Sequence, residues 1–540
     1  MTQRLSSTSS SRSFQPLNPA RLPLLLCLIA ALVLPLPARA EPWYQPQSLT
    51  PQQASEELTL VRRALERHHA GWERYLDLNE RSDALGQLAA VTEGGTTDVE
   101  LYLALSQLLA KVGCDHTKAE VPRPLADARQ QLPTYLPFRV LVDDQRLVVV
   151  SATEDSGLAA GDEILALAGV PTPKLLATLR PLIPVDGTTY EVRDRELEQS
   201  GEFLRAGLDH FLPLLQGFSS SYEVTVRSSK AESSSPRQLT VAAVDGETFD
   251  ALRPPSWQRA RDFVDAVELQ IVGAEDPRLA VGSDSPPKTA PKTVPKTALL
   301  TVETFVNYRR PANPLELYGE IFQQLHEAQV EHLIVDLRLN GGGSDDASLG
   351  LLGFLLDEPF RMMRSWRVKP LEFGDLKPYL NTWDSSVFQA SAEDFQVLED
   401  GWWQLPHELP FYDPLPTRFG GRLTVLSGPG NSSGSANILA QLQSRGRAQI
   451  VGEPTGGSSE GPTAGVLVFL RLPHSGITVR VPLRRQFNDL PTFQPGRGVD
   501  PDLLVEPTLE DRLEGRDPVL DAALRAWGTA PQSRSILPRL

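Results

Sequence analysis

Twice in its second half the chain runs a short, mostly apolar strand into a glycine- or serine-rich loop and then into a helix. The first unit is Leu333-Ile334-Val335-Asp336-Leu337, followed by Asn340-Gly341-Gly342-Gly343 and a helix predicted over 345–356. The second is a strand over 423–426, a loop over 427–433, a helix over 434–443 and a further strand over 448–452. Apolar runs without alternation belong to strands covered on both faces. Repeated strand–loop–helix units require a crossover sheet whose functional loops lie at the strand C-termini. A strand over 299–305, a helix over 314–328 and a hairpin (466–472 and 477–481, turned by His474-Ser475-Gly476) complete an expected α/β domain at 298–510. A C-terminal tail helix is expected within 511–540.

The first half has a different texture. Residues 41–130 are expected to be mainly helical, with one helix from Ser55 to about Leu76. A second is marked by the Thr97/Glu100 capping box, the stripe Leu101, Leu105, Leu108 and Val112, and the stop Gly113. Cys114-Asp115-His116-Thr117 then falls on a loop. From 136 to 245 the chain is mostly β, with strands over 138–142, 146–150 and 222–226 and a helical piece near 197–208. Between 282 and 297 Pro-Lys-Thr occurs three times, which predicts an extended solvated linker or surface loop.

At the start, Leu22 to Pro37 is apolar but broken by Pro23, Pro35 and Pro37, and Ala38-Arg39-Ala40 follows. This predicts a secretory signal over 1–40, a mature start at Glu41 and a periplasmic or secreted product, with no integral span left after removal. Those residues hold four arginines and no acid. The net charge therefore moves from −16 to −20 (48 basic against 68 acidic residues). Such a balance disfavours nucleic acid or anionic lipid as partner. Cys27 leaves with the signal, so Cys114 alone remains and neither an internal disulfide nor a cysteine metal site is expected.

The loop Gly428-Pro429-Gly430-Asn431-Ser432-Ser433-Gly434-Ser435 opens a helix, where exposed N–H groups favour an oxyanion and a nucleophile beside it. The same composition also serves as an ordinary helix cap. Three consecutive glycines after Leu337 allow backbone N–H groups to approach a ligand closely. A phosphate loop is disfavoured, because no Gly-Lys-Ser/Thr follows and Asp345-Asp346 would repel phosphate. Of eight histidines, His116 is the best candidate base. His68, His69, His326 and His332 are expected on solvated helix faces or flanks.

Several signatures together resemble the C-terminal processing (tail-specific) peptidase superfamily of serine peptidases, with its tricorn-core-like and retinoid-binding-protein-like members. They are Asp336 to Gly343, Ser433-Gly434-Ser435, Arg447 to Gly457, and Gly498-Val499-Asp500-Pro501-Asp502. Residues 157–170 are similar to part of the family's PDZ-type domain, and Cys114 to Thr117 resembles its His-Thr loop. The resemblance implies an α/β multidomain fold: a helical N-terminal region, a degenerate PDZ-like β domain and a ClpP/crotonase-like peptidase domain. It implies Ser433 as nucleophile, His116 as base, an oxyanion hole from Gly434 and the Gly341, Gly342, Gly343 loop, a peptide or protein substrate, and no metal or cofactor. Two departures matter. Lysine-dependent members carry their lysine where this chain has Ser458-Ser459-Glu460, and tricorn-like members carry a glutamate where it has Pro495 after Gln494. A histidine base active from roughly pH 6 to 7 is therefore expected, with Glu453 and Glu460 as candidate orienting acids. The alternative is a decayed member that binds peptide or apolar ligands.

Overall fold

The computed structural model describes residues 44–229, 235–272 and 296–526. The expected leader, residues 282–295 of the Pro-Lys-Thr stretch and the tail beyond 526 lie outside the described residues.

The fold is mixed α/β with several sheets. Its central sheet has six strands in the order Val267–Val272, Thr297–Val302, His332–Asp336, Arg422–Ser427, Gln449–Gly452 and Leu503–Leu504. The first pair is antiparallel and the rest are parallel, with Leu300, Val335 and Val425 in register across three strands. Alternate residues face opposite layers. Leu333, Val335, Val425 and Ile450 pack with the helices Pro314–Glu327, Asp345–Leu355 and Ser433–Ser444. Ile334, Leu426 and Val451 pack with Val519, Leu520 and Ala523 of the helix Pro518–Arg525. Both faces are dry, which is why these strands read as mostly apolar runs. At ~25 cal/mol per Å² this layered burial is the main favourable term holding the domain.

The N-terminal helices are Pro51–His68, Leu78–Thr92 and Asp98–Lys111. The expected capping box is present: Glu100 N–H donates to Thr97 Oγ1 while Thr97 N–H donates to the Glu100 carboxylate. The first helix is shorter than expected. It is capped by Thr50 and Gln53 and stops at His69, which is extended. The expected helical piece near 197–208 is two helices, Val192–Glu198 and Gly207–Gln216, split by a loop in which Arg205 takes a φ of +70°. Residues 138–242 form an antiparallel sheet in the order Phe138–Asp143, Arg146–Ala152, Glu163–Leu167, Ser221–Arg227, Arg237–Ala242. Two sheets escaped the sequence reading: the pair Ser48–Leu49 with Thr96–Thr97, and a sheet in which Met363–Val368 lies between Trp403–Gln404 and Arg484–Asn488. Among the described residues no helix is long and apolar enough to cross a membrane.

A small junction positions the site. Ala119–Glu120 pairs with Thr478 and Val479 of the C-terminal hairpin, and Arg480 N–H donates to Lys118 O. The loop 114–117 is thereby pinned against the α/β domain.

Candidate active site

The loop after Arg422–Ser427 is held from within and from across. Asn431 Oδ1 accepts from Gly428 N–H at 2.9 Å, and its amide donates to Leu337 O and Asn340 O. Asn340 in turn donates to Val302 O at 3.0 Å. The two sequence motifs, separated by about ninety positions, are thus one hydrogen-bonded unit. The glycines matter because the backbones nearly touch. A Cβ on Gly342 would stand 2.9 Å from the Cβ of Ser433, and one on Gly457 would stand 2.8 Å from the Cα of Ser432.

Three serines compete for the role of nucleophile, and their hydrogen bonds separate them. Ser435 Oγ donates to Asn340 O and Ser432 O, and it is buried. Ser432 Oγ donates to Asp115 Oδ2. Ser433 Oγ has no hydrogen bond among the described residues, and its backbone takes a φ of +52°. For a residue other than glycine that conformation costs roughly 1–3 kcal/mol and persists only where its surroundings enforce it. Here the Asn431 clamp and the close approach of Gly342 and Gly457 enforce it.

The helix Ser433–Ser444 begins at this residue, so Gly434 N–H lies in its first turn. Of the three loop glycines, Gly342 already donates its N–H to Asn340 Oδ1 at 2.8 Å. The N–H groups of Gly341 and Gly343 donate no hydrogen bond among the described residues.

The loop Cys114-Asp115-His116-Thr117 meets the serine loop through the Asp115–Ser432 hydrogen bond, which joins residues 317 positions apart. Asp115 Oδ1 stands 2.5 Å from His116 Nδ1. The imidazole therefore turns its other ring nitrogen away from the carboxylate. Burial would raise the Asp115 pKa, but His116, Lys118 and Ser432 outweigh it and hold the group well below the usual carboxylate range. Burial would lower the His116 pKa, but the Asp115 charge beside the ring outweighs it and raises it well above the ordinary 6.5.

Behind this loop, His69 Nδ1 accepts from Gly71 N–H, so its Nε2 carries the proton and donates to Thr117 Oγ1 at 2.5 Å. The expectation of solvated histidines fails here. His68, His69 and His332 are all buried, because their ring nitrogens find Pro370 O, Thr117 and Thr424. Cys114, Asp115 and His116 bring their polar atoms within 4.8 Å of one another. The thiol donates to Thr463 O and Asp115 Oδ2 accepts from Ser432, while Asp115 Oδ1 and His116 Nδ1 face each other as an ion pair at 2.5 Å without a hydrogen-bond angle.

Neither glutamate singled out in the sequence has a contact with His116. Glu460 spends its carboxylate on Arg74 (2.8 Å), the Tyr75 hydroxyl (2.6 Å) and Gly496 N–H (2.9 Å). Glu453 lies at the end of the strand Gln449–Gly452, where the charges acting on it are Arg195, Arg512, Glu506 and Glu198. The carboxylate that does meet the imidazole is Asp115. The sequence does not single it out, because side chains of adjacent residues diverge in extended chain, whereas here both sit in a turn closed by Thr117 N–H on Cys114 O.

Residues 296–505 match the model of peptidase family S41. The chain carries a peptidase family S41 domain. It is a serine-type peptidase domain, whose substrates are peptides or proteins. No curated protein matches the chain in sequence. Among solved structures, mature CPAF complexed with lactacystin is similar at 18% identity and a TM-score of 0.59, covering 88% of this chain and 98% of that one. Mature CPAF alone gives the same identity and score, covering 89% and 99%. This likeness concerns the fold. The photosystem II D1 C-terminal processing protease aligns at 18% identity over 88% of this chain and 97% of its own, with a TM-score of 0.38.

Proposed function

We propose that this chain is an exported serine peptidase in which Ser433 is the nucleophile, His116 the base and Asp115 the orienting acid. Ser433 Oγ attacks the scissile carbonyl while the ring nitrogen of His116 opposite Asp115 takes its proton. The N–H groups of Gly434 and of Gly341 or Gly343 hold the oxyanion. His116 then protonates the leaving amine, and water releases the acyl group by the reverse sequence. Asp115 keeps its charge throughout and stabilises the imidazolium.

The observation that carries this reading is the hydrogen bond from Ser432 to Asp115, which ties the base loop to the residue beside Ser433. The unspent Ser433 hydroxyl on a left-handed backbone argues against a decayed ligand-binding protein, since strain of that kind persists where it serves a site. A fluorophosphonate probe tests it: mass spectrometry should find the adduct on Ser433. An unlabelled, fully folded protein would favour the binding reading.

Export rests on the composition of residues 1–40, and N-terminal sequencing of the periplasmic or secreted protein should begin at Glu41. The edge strand Arg237–Ala242 of the antiparallel sheet offers a place where a substrate segment could add as a further strand.

A further inference from the structure

Beside the base loop lies a carboxyl group that no part of the mechanism above uses. Asp186 sits on the loop between the Leu182 turn and the helix Val192–Glu198, and it is 1% exposed. That loop is fastened on two sides. Gly187 N–H donates to Gly113 O at 2.9 Å, immediately before Cys114, and Thr188 N–H donates to Gly496 O at 2.8 Å. Thr189 Oγ1 bridges Asp186 O and Gly456 O at 2.9 and 2.7 Å. The position is crowded enough that a Cβ on Gly187, whose φ is +65°, would fall 2.3 Å from Gly496 O. Asp186 is thus fixed between the loop that carries His116 and the segment 456–458 that packs against Ser432.

The two carboxyl oxygens differ. Oδ2 accepts from Ser458 N–H at 2.8 Å, whereas Oδ1 is buried and has no hydrogen-bond partner among the described residues. A carboxylate with one oxygen unsatisfied in the interior is costly, so such a group holds a proton more readily than an exposed one. The ionisable groups around it are Asp115 and His116 on the base loop, Arg74 and Tyr75 after the first helix, and Glu460 paired with Arg74. Arg74 is largely committed to Glu460, while Asp115 repels a second negative charge.

We propose that Asp186 is a positioning residue of the peptidase site, a second buried carboxyl group whose protonation state sets the basicity of His116. The inference rests on the reading of His116 as the base. Burial first, and then the Asp115 charge, push the Asp186 pKa up to about 7, against the opposing pull of Arg74, Ser458 N–H and His116. The proton count that leaves Asp186 ionised and His116 charged can also be arranged with the proton on Asp186 and His116 neutral, and only the second arrangement has a competent base. The pair therefore titrates as a unit. Once Asp186 is ionised, its charge favours imidazolium and moves the loss of the His116 proton to higher pH.

Histidine-labelled NMR of the folded protein tests this without requiring turnover. In the wild type the His116 resonance, assigned by its absence in His116→Gln, should shift in two steps as pH rises. A single-step curve would overturn the proposal. In Asp186→Asn, which keeps an acceptor for Ser458 N–H, the curve should become single-step with its midpoint lowered by about one pH unit, the scale of one nearby charge. The acidic limb of fluorophosphonate labelling at Ser433 should move down equally, with the high-pH rate and the melting temperature unchanged. A variant that melts normally with an unmoved His116 midpoint would show that Asp186 is structural. If His116 responds to Asp186 but Ser433 is never labelled, the coupling stands and the peptidase reading falls instead.

Discussion

The loop that presents Ser433 and the loop that presents His116 are built in contrasting ways. The first is local. A buried strand, a glycine-lined turn and a helix start force one serine into a left-handed backbone, and the neighbouring serines are identified by the bonds they already make. The second is assembled at a distance. Its loop follows a helix of the N-terminal region, is paired to the C-terminal hairpin through Ala119–Glu120, and is buttressed by His69 on Thr117. The serine is set by motifs of one domain that its sheet brings together, whereas a base brought from the N-terminal region depends on every contact that seats it.

That contrast can be broken most severely at the serine. Ser433→Ala should reduce hydrolysis to background while the melting temperature holds or rises, since alanine removes no bonded hydroxyl; near-normal turnover would show that the wrong serine has been chosen. His116→Ala should reduce turnover by ~100-fold or more, the scale of a general base, measured with any peptide the wild type cleaves. Asp115→Asn should cost ~10-fold or more in kcat/KM. Removing the charge that holds the imidazolium lowers the His116 pKa, so the acidic limb should also move to lower pH. In the wild type that limb should lie at higher pH than an ordinary histidine gives, because the Asp115 charge outweighs burial and raises the His116 pKa. The sequence alone, taking an ordinary histidine, put the rise at pH 6 to 7. The smallest effects belong to the neighbours. Ser432→Ala should lower kcat/KM only severalfold by loosening the Asp115 contact. Ser435→Ala should cost about 1 kcal/mol of stability for its lost hydrogen bonds, read by urea denaturation, with Ser433 still labelled.

Legibility followed the same division. The strands around Val335 and Val425, the Thr97 cap and the glycine loop were readable because each is fixed by local pattern: mostly apolar runs, a cap spacing, a backbone approach that excludes a Cβ. The burial of His69 and His332 was not readable, since it depends on Thr117 and Thr424 arriving from other segments. Asp186 carried no motif at all and owes its environment to Gly113, Ser458 and Gly496. The sheet containing Met363–Val368 was missed because two of its strands are only two residues long, too short to establish a period.

The account stands or falls on whether the distant base serves the local nucleophile. Fluorophosphonate labelling, with the adduct mapped by mass spectrometry in the wild type and in His116→Ala, measures that directly. The account predicts an adduct on Ser433 in both proteins, forming ~100-fold or more slowly in the variant, with both melting alike. Labelling of Ser433 at equal rates in the two proteins would contradict it.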